Sequence, residues 1–287
     1  MIAWQIILYT LASAMYFSLI VMAFGFILRS AKFFNIALGG AFLVGGYMMF
    51  LFYRTYSIPF IPAVLLSSCA SGMYFSLCYL YVFRPLLARK AKSQISLIAS
   101  FGVLTATSAI LGIIFGNQPT FIPRHLSDIG TVKILGAHLN TTELVLIISV
   151  AVIIFASHLV RSKTRFGRAV RAVEDDGEVA ELVGISKGKT LLKIFFIAGV
   201  FAGLTGIVEG LNSGLIPASG LFYMLPTIVA VIIGGMQSFW GGIIGAFILA
   251  IAQQLTILFF GGSWVTAVPF VLLIIILLVR PEGILKR

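Results

Sequence analysis

The sequence predicts an all-α fold, a polytopic bundle of transmembrane helices with about eight or nine membrane segments. Of its 287 residues, 60% are hydrophobic and only 10% are charged, whereas ordinary soluble domains carry about 25% charged residues. Charge-poor apolar runs recur from residue 2 to residue 279. A helix of roughly 20 apolar residues spans the hydrocarbon core of a bilayer. Residues 1–287 are therefore expected to form one transmembrane domain, and a soluble protein with a very apolar core is rejected.

Nine apolar runs are the expected membrane segments. Run 223–235 is short for a complete span and is expected to be a half-helix or re-entrant segment. The stretch GGMQSFWGG (234–242) follows it, and its glycines would break a helix. The nine runs are 2–28, 35–53, 58–83, 95–116, 142–160, 191–211, 223–235, 242–260 and 264–279.

The net charge of +11 raises the question of nucleic-acid binding. The basic residues lie between the apolar runs, which is the pattern of membrane topology, so lipid and not nucleic acid is the expected partner. If all nine runs cross and the N-terminus is outside, 17 of the 20 Lys and Arg are cytoplasmic; if 223–260 crosses once, the split falls to 14 against 6. The positive-inside rule therefore predicts an outside N-terminus and a cytoplasmic C-terminus. The first run is too long for a cleaved signal peptide.

The most highly charged stretch, RAVRAVEDDGEVAELVGISKGKT (168–190), ends in a sequence that resembles a phosphate-binding loop. A true loop of that kind reads G-x-x-x-x-G-K-[ST] between a strand and a helix. Here only three residues separate Gly184 from Gly188, and the preceding residues favour a helix. We therefore expect no cofactor on this chain and no ATP binding by it.

A short amphipathic helix is expected within 172–184. Asp175 or Asp176 can cap its start, and Gly184 can end it. Apolar residues follow at spacings of three and four, at Val179, Leu182 and Val183. Such a helix can lie on the membrane, pack on its own protein or dock on a partner. Its acidic cluster disfavours the anionic inner leaflet.

Polar groups inside the runs are candidates for a solute pathway, because they are costly in a bilayer. Glu209 is the only acid inside a run, and Asn212 follows it. It is either an interfacial carboxylate, in water or paired with a base of another subunit, or a group that admits an amino-bearing solute. Asn35 either lines a pathway or caps a helix. Gln253 and Gln254 lie in mid-span, and one of them is expected to face a pathway or a neighbouring helix.

The glycines allow two interpretations. Close helix packing is favoured for Gly199, Gly203, Gly206 and Gly210, which share one helix face, and for Gly241 and Gly245. Gly39, Gly40, Gly45 and Gly46 could instead loosen a helix and expose backbone to solute. No catalytic residue and no metal site is expected, since neither paired carboxylates nor a histidine cluster appears.

Five segments resemble, in order, the permeases of branched-chain amino acid ABC transporters. The segment TRFGRAVRAVEDDGEVAELVGIS (164–186) resembles the cytoplasmic coupling loop of that family. The other four are FFNIALGGAFLVGGY (33–47), VFRPLLARKAKSQISLIASFGV (82–103), GGMQSFWGGIIGAFILAIAQ (234–253) and LLIIILLVRPEGIL (272–285). Together they cover nearly the whole chain.

The resemblance implies a permease subunit of a bacterial inner-membrane importer and not an enzyme. Its partners would be a second, usually related permease, two ATPases that carry ATP and Mg, and a periplasmic or lipid-anchored solute-binding protein. The loop 161–190 would couple to an ATPase through Asp175, Asp176, Gly177, Glu178, Ala180, Glu181, Leu182 and Gly184. The expected substrate pathway comprises Asn35, Gly39, Gly40, Glu209, Asn212, Gln237, Ser238 and Gln253.

Two departures from the family pattern leave the substrate open. Leu38 stands where the family has histidine, and Gln237 stands where glycine is usual. Branched-chain amino acids are the default substrate; urea or short amides, or a more apolar solute, are alternatives. An ion-coupled secondary transporter or channel is the second alternative, and it would need an ion site of its own.

Overall fold

A computed structural model describes residues 2–122, 131–134, 137–280 and 282–285, with side chains described in 6–122, 147–280 and 282–285. Two short strands, β1 (Thr131–Ile134) and β2 (Ala137–Asn140), pair antiparallel between the fifth and sixth helices. The α-helices of the described residues are α1 (Ile2–Ala31), α2 (Leu38–Met49), α3 (Phe60–Cys78), α4 (Arg84–Ala88), α5 (Ser93–Phe115), α6 (Thr141–Lys163), α7 (Arg165–Asp175), α8 (Gly177–Leu182), α9 (Lys187–Asn212), α10 (Ser219–Gly234), α11 (Phe239–Phe260) and α12 (Val268–Val279).

The predicted helical membrane bundle is confirmed, and each of the nine runs corresponds to a helix. Among the described residues, five helices are long and apolar enough to cross a membrane, and the bent pair α6–α7 can add a sixth. The count of eight or nine segments stays a prediction. The short run 223–235 belongs to α10, which has 16 residues and contains Pro226. π-Helical turns follow α2 at Phe50–Thr55 and α3 at Tyr79–Phe83.

Packing divides the chain into two compact units. Unit I comprises residues 23–123 and 157–224, and unit II comprises residues 1–22, 124–156 and 225–287. The predicted loop 161–190 lies in unit I. Each unit is described by itself.

Unit I is built around α9, which packs against α2 and α3 through glycines on both sides. A Cβ on Gly203 would lie 2.6 Å from that of Ser71, and a Cβ on Gly206 would overlap the carbonyl oxygen of Phe42. The Ser71 hydroxyl lies 2.6 Å from the carbonyl of Ala41 and 2.8 Å from that of Gly199. Close packing by the α9 glycines, as predicted, is therefore confirmed, since backbones approach where side chains are absent.

In unit I, the segments that follow α5 and α9 are hydrogen-bonded to each other. Thr120 and Leu215 form an antiparallel bridge with N···O distances of 2.8 and 2.9 Å. The N–H of Ile122 donates to the carbonyl of Gly210 at 3.1 Å. The C-terminal ends of α5 and α9 are thus fixed at the same end of the unit, as the predicted topology requires.

Unit II holds α10 and α11 together through glycines and caps α10 with the end of the chain. A Cβ on Gly245 would overlap the carbonyl oxygen of Ala230. The N–H of Ile284 donates to Ile233 at 2.9 Å, and the N–H of Leu285 donates to Gly234 at 3.2 Å. These bonds satisfy carbonyls that a helix end leaves without partners, and they bring the segments 234–253 and 272–285 together.

We expect Gly206→Ala to destabilise unit I by about 1–3 kcal/mol, because the added methyl group overlaps backbone that cannot move aside. Gly102→Ala on α5 is the matched control, since nothing lies within 4 Å of its Cβ position. That control should be neutral or slightly stabilising. The measurement is the midpoint of thermal unfolding of the purified chain in detergent, and equal midpoints for both variants would contradict the packing described.

Candidate functional site

Residues 161–190 form an angular element of two helices. α6 ends at Lys163, and α7 turns away from it by 79°. Thr164 makes the turn: its extended backbone leads into α7, and its hydroxyl accepts a hydrogen bond from the N–H of Gly167 at 3.0 Å. A Cβ on Gly167 would overlap the carbonyl of Arg161. The sharp bend therefore depends on a threonine cap and a glycine.

The predicted short helix is α8, and Asp176 is its N-cap. The backbone of Asp176 is extended, and this separates α8 from Asp175, the last residue of α7. Its carboxylate accepts hydrogen bonds from the N–H of Glu178 at 2.8 Å and of Val179 at 3.2 Å. These bonds lower the pKa of the Asp176 carboxyl, with smaller contributions from the charges of Lys187 and Lys32.

Gly184 ends α8 as predicted. Its φ of +84° is in the left-handed region, where glycine has no steric penalty. The N–H of Gly184 donates to Glu181 at 3.1 Å, and the N–H of Ile185 donates to Ala180 at 2.9 Å. This is the Schellman arrangement, so both ends of α8 are defined by its own sequence.

A buried carboxylate ties this element to the rest of unit I. Glu174 is 5% exposed; its oxygens lie 3.3 Å from Nε of Arg29 and 2.5 Å from Nη2 of Arg161. Its main-chain carbonyl accepts from Nζ of Lys32 at 2.5 Å. One residue of α7 thus joins the ends of α1 and α6. This role for Glu174 is not predicted in the sequence analysis. The one indication in the sequence is an acidic residue within a segment rich in arginine and lysine.

The apolar side chains of α8 are exposed at the surface of the chain. Leu182 is 87% exposed, Val183 is 70% exposed and Val179 is 53% exposed, whereas Ala180 is buried. Glu178 pairs with Lys90 at 3.1 Å across exposed surface, and Glu181 is exposed. The predicted stripe is therefore uncovered in this chain, so packing on its own protein is not the arrangement observed.

The pathway residues predicted near the start of α2 are buried. Asn35 is 1% exposed; its Oδ1 accepts from the N–H of Ala37 at 3.1 Å, and its Nδ2 has no partner among the described residues. A Cβ on Gly39 would lie 2.5 Å from the carbonyl oxygen of Gly220, and one on Gly40 would lie 2.7 Å from the Tyr74 hydroxyl. These two glycines thus allow close packing in α2, and their role toward a solute stays a prediction.

Glu209 is 9% exposed near the end of α9. Its carboxyl is hydrogen-bonded by the side chains of Tyr223 and Ser213, and Asn212 beside it is half-buried. A carboxylate immersed in water is not what the structure shows. Pairing with another subunit and contact with an amino-bearing solute remain the two hypotheses for Glu209.

The remaining predicted pathway residues lie in unit II. Ser238 caps α11 by accepting from the N–H of Gly241 at 3.1 Å. Gln237 is exposed, and Gln253 is half-buried within α11. The capping role of Ser238 is an addition to the sequence analysis, and a pathway role for these three residues stays a prediction.

The fold and the tethered element α7–α8 define the class of this molecule: a polytopic helical membrane protein that holds a short apolar-faced helix outside its spans. Residues 6–277 match the family described as the permease component of the branched-chain amino acid transport system. The chain belongs to this family of transport permeases.

Individual relatives agree with the family. The high-affinity branched-chain amino acid transport system permease protein LivH of Salmonella typhimurium is 26% identical over 88% of this chain and 85% of its own. The corresponding protein BraD of Pseudomonas aeruginosa is 25% identical over 88% and 86%. The solved structure of PsaBC from Streptococcus pneumoniae in complex with Fab has a TM-score of 0.52 over 95% of this chain and 91% of that chain. At 13% identity, it shows similarity of fold.

Glu174→Gln is expected to destabilise the chain by about 3 kcal/mol or more, because Arg29 and Arg161 would lose the buried carboxylate that both of them contact. Glu178→Gln is the matched control: it removes an exposed ion pair of less than about 1 kcal/mol. The thermal unfolding midpoint of the purified chain distinguishes them. A midpoint for Glu174→Gln as close to wild type as that of the control would contradict the role assigned to the buried pair.

The pKa of Asp176 is lowered by folding, so its cap stabilises α8 above the unfolded pKa of about 4 and is lost as the pH falls through the lower folded value. At pH 7 the Asp176 carboxyl is ionised and accepts both hydrogen bonds of the cap. Asp176→Ala should then accelerate amide hydrogen exchange at Glu178 and Val179 about fivefold, because both N–H groups lose their acceptor. Asp176→Asn should restore slow exchange, since asparagine also caps helices; exchange as fast as in the alanine variant would argue against the cap.

Proposed function

We propose that this chain is the permease subunit of an ABC importer for branched-chain amino acids in a bacterial inner membrane. One observation carries the proposal: α8 exposes an apolar face while the buried ion pairs of Glu174 hold the adjoining α7 to the spans. An amphipathic helix with an uncovered apolar face suits a groove on a partner. A helix tied to the spans through α7 can transmit movement of that partner.

The partner proposed for α8 is a cytoplasmic ATPase subunit. Two such subunits would bind ATP and Mg, and the segment from Gly184 to Thr190 supports this division of labour. It passes from the end of α8 directly into α9, which Ser186 caps, with neither the strand nor the spacing of a phosphate-binding loop. A second permease and a solute-binding protein complete the proposed assembly.

The proposed orientation places α8 in the cytoplasm, with the N-terminus outside and the C-terminus inside. Basic residues from the predicted inner loops meet at the α7–α8 end of unit I: Arg29 and Lys32 contact Glu174, and Lys90 contacts Glu178. Basic loops are retained on the cytoplasmic side. In unit II, Ile284 and Leu285 are hydrogen-bonded to the end of α10. These bonds support placing residues 282–285 and the turn 235–238 on the same side of the membrane.

The proposed mechanism is alternating access. Closure of the ATPases on ATP would move α8 through Val179, Leu182 and Val183. The ion pairs of Glu174 would carry this movement to α1 and α6, because buried pairs of this kind favour one arrangement and are costly to break. The spans would then open toward one side of the membrane.

The proposed substrate class rests on the family and on what the named relatives transport. Glu209 is the candidate contact for a substrate amino group, and Asn35 offers an amide for its carboxylate. Leu38 replaces the family histidine and is fully buried, so its side chain contributes packing. Uptake of radiolabelled leucine by the complete transporter in liposomes tests the proposal: it should require internal ATP, and gradient-driven uptake without ATP would favour a secondary transporter.

Leu182→Asp should reduce ATPase activity stimulated by the binding protein at least tenfold, because a charge replaces an apolar interface anchor worth about 2 kcal/mol or more. Arg89→Gln is the control: Arg89 is exposed after α4 and lies outside the predicted coupling residues, so this variant should retain most of the stimulation. The complexes are compared after purification at equal subunit content. Stimulation of the Leu182→Asp complex at the wild-type level would contradict docking through α8.

A further inference from the structure

A cavity of about 270 Å³ lies in unit I beside α8. The ends of α1 and α4 and the starts of α5, α8 and α9 contribute to its wall. Three lysines and three serines, but no acidic residue, are among the described residues that line it: Lys32, Lys90, Lys187, Ser30, Ser93 and Ser96. Nothing in the proposed transport function uses this cavity.

The three lysines come from separate parts of the chain, and their charges are only partly balanced. Lys32 donates to a main-chain carbonyl, which carries no net charge. The pair of Lys90 with Glu178 is exposed to solvent, where such pairs are weak. Asp176 acts on Lys187 and Lys32 from outside the wall. The lining itself carries three positive charges and no negative one, and a bound anion would reduce repulsion among the lysines.

Ser30 supplies a second and independent observation. It is 2% exposed, and its hydroxyl has no hydrogen-bond partner among the described residues. Buried hydroxyls nearly always have a partner, since an unsatisfied one is costly. Ser30 lines the same cavity as the lysines, so a ligand with acceptor oxygens would satisfy it.

We propose that this cavity is a binding site for a compact phosphate-bearing anion. Lysine ammonium groups act as point charges for phosphate, and the serine hydroxyls can donate to its oxygens. The volume lies below the ~300–1,000 Å³ of drug-sized ligand pockets, which favours a phosphate group over a nucleotide. The phosphate can belong to a phospholipid headgroup or to a soluble molecule. In either case it would join the ends of α1 and α9 to α8.

Inorganic phosphate is the probe for the soluble source. The full chain, purified with its complex in a zwitterionic detergent, is titrated with phosphate at constant ionic strength, and the thermal midpoint is followed. Lys187→Gln should weaken the apparent affinity about tenfold or more. Ser30→Ala should weaken it severalfold without changing the net charge. Lys189→Gln, an exposed lysine of α9 outside the cavity wall, should behave like wild type.

Phospholipid is the probe for the membrane source. The same complexes are placed in nanodiscs of phosphatidylcholine with or without phosphatidylglycerol, and the lipid retained after gentle release is measured by native mass spectrometry. Wild type and Lys189→Gln should retain more bound anionic lipid than Ser30→Ala, and Lys187→Gln should retain the least. If lipid is retained in this pattern but phosphate does not shift the thermal midpoint, the site binds a lipid headgroup. If phosphate shifts the midpoint but no lipid is retained, the site binds a soluble anion.

The proposal is overturned if wild type responds to neither probe. It is equally overturned if Lys187→Gln, Ser30→Ala and Lys189→Gln all respond as wild type does, since binding would then depend on general surface charge. Unliganded midpoints and gel-filtration profiles show whether each variant is folded. Ser30→Ala removes one hydroxyl from a buried position, so it remains informative if loss of Lys187 disturbs α9.

Discussion

The buried carboxylate of Glu174 is the interaction on which the organisation of the loop end depends. It lies between Arg29 of α1 and Arg161 of α6, and its own carbonyl holds Lys32. Removing one member of a buried ion pair is strongly destabilising, and Glu174 is the member that both arginines share. The two ion pairs of Glu174 therefore fix α7 against α1 and α6, and α7 in turn positions α8. The proposed coupling through the exposed apolar face of α8 depends on this support.

Local features of the site could be predicted from the sequence, because short-range chemistry determines them. An aspartate before a helix-favouring stretch and a glycine after it define the ends of α8, and both caps are present at Asp176 and Gly184. Four-residue spacing of small residues predicts close helix contacts, and Gly203 and Gly206 make them against α2 and α3.

Long-range features could not be predicted in the same way. The contact between Arg29 and Glu174 joins residues 145 positions apart, and no local pattern marks their pairing. The bonds from Ile284 and Leu285 to α10 likewise form only when distant segments meet. Residue type and motif alone predict a pathway role for Gly39 and Gly40, yet glycine serves close packing equally well. The cavity with Ser30 and Lys187 is lined by residues at the ends of six helices and has no signature within any one of them.

Photo-crosslinking from position 182 tests the central claim most directly. A benzophenone amino acid is placed at Leu182 in the full transporter in its native membrane, and the same group at Phe259, an exposed residue of α11, serves as the control. Irradiation should join position 182, but not position 259, to an ATP-binding cassette subunit identified by mass spectrometry. Adducts at position 182 with lipid alone, or with no ATPase chain, would contradict the coupling role of α8.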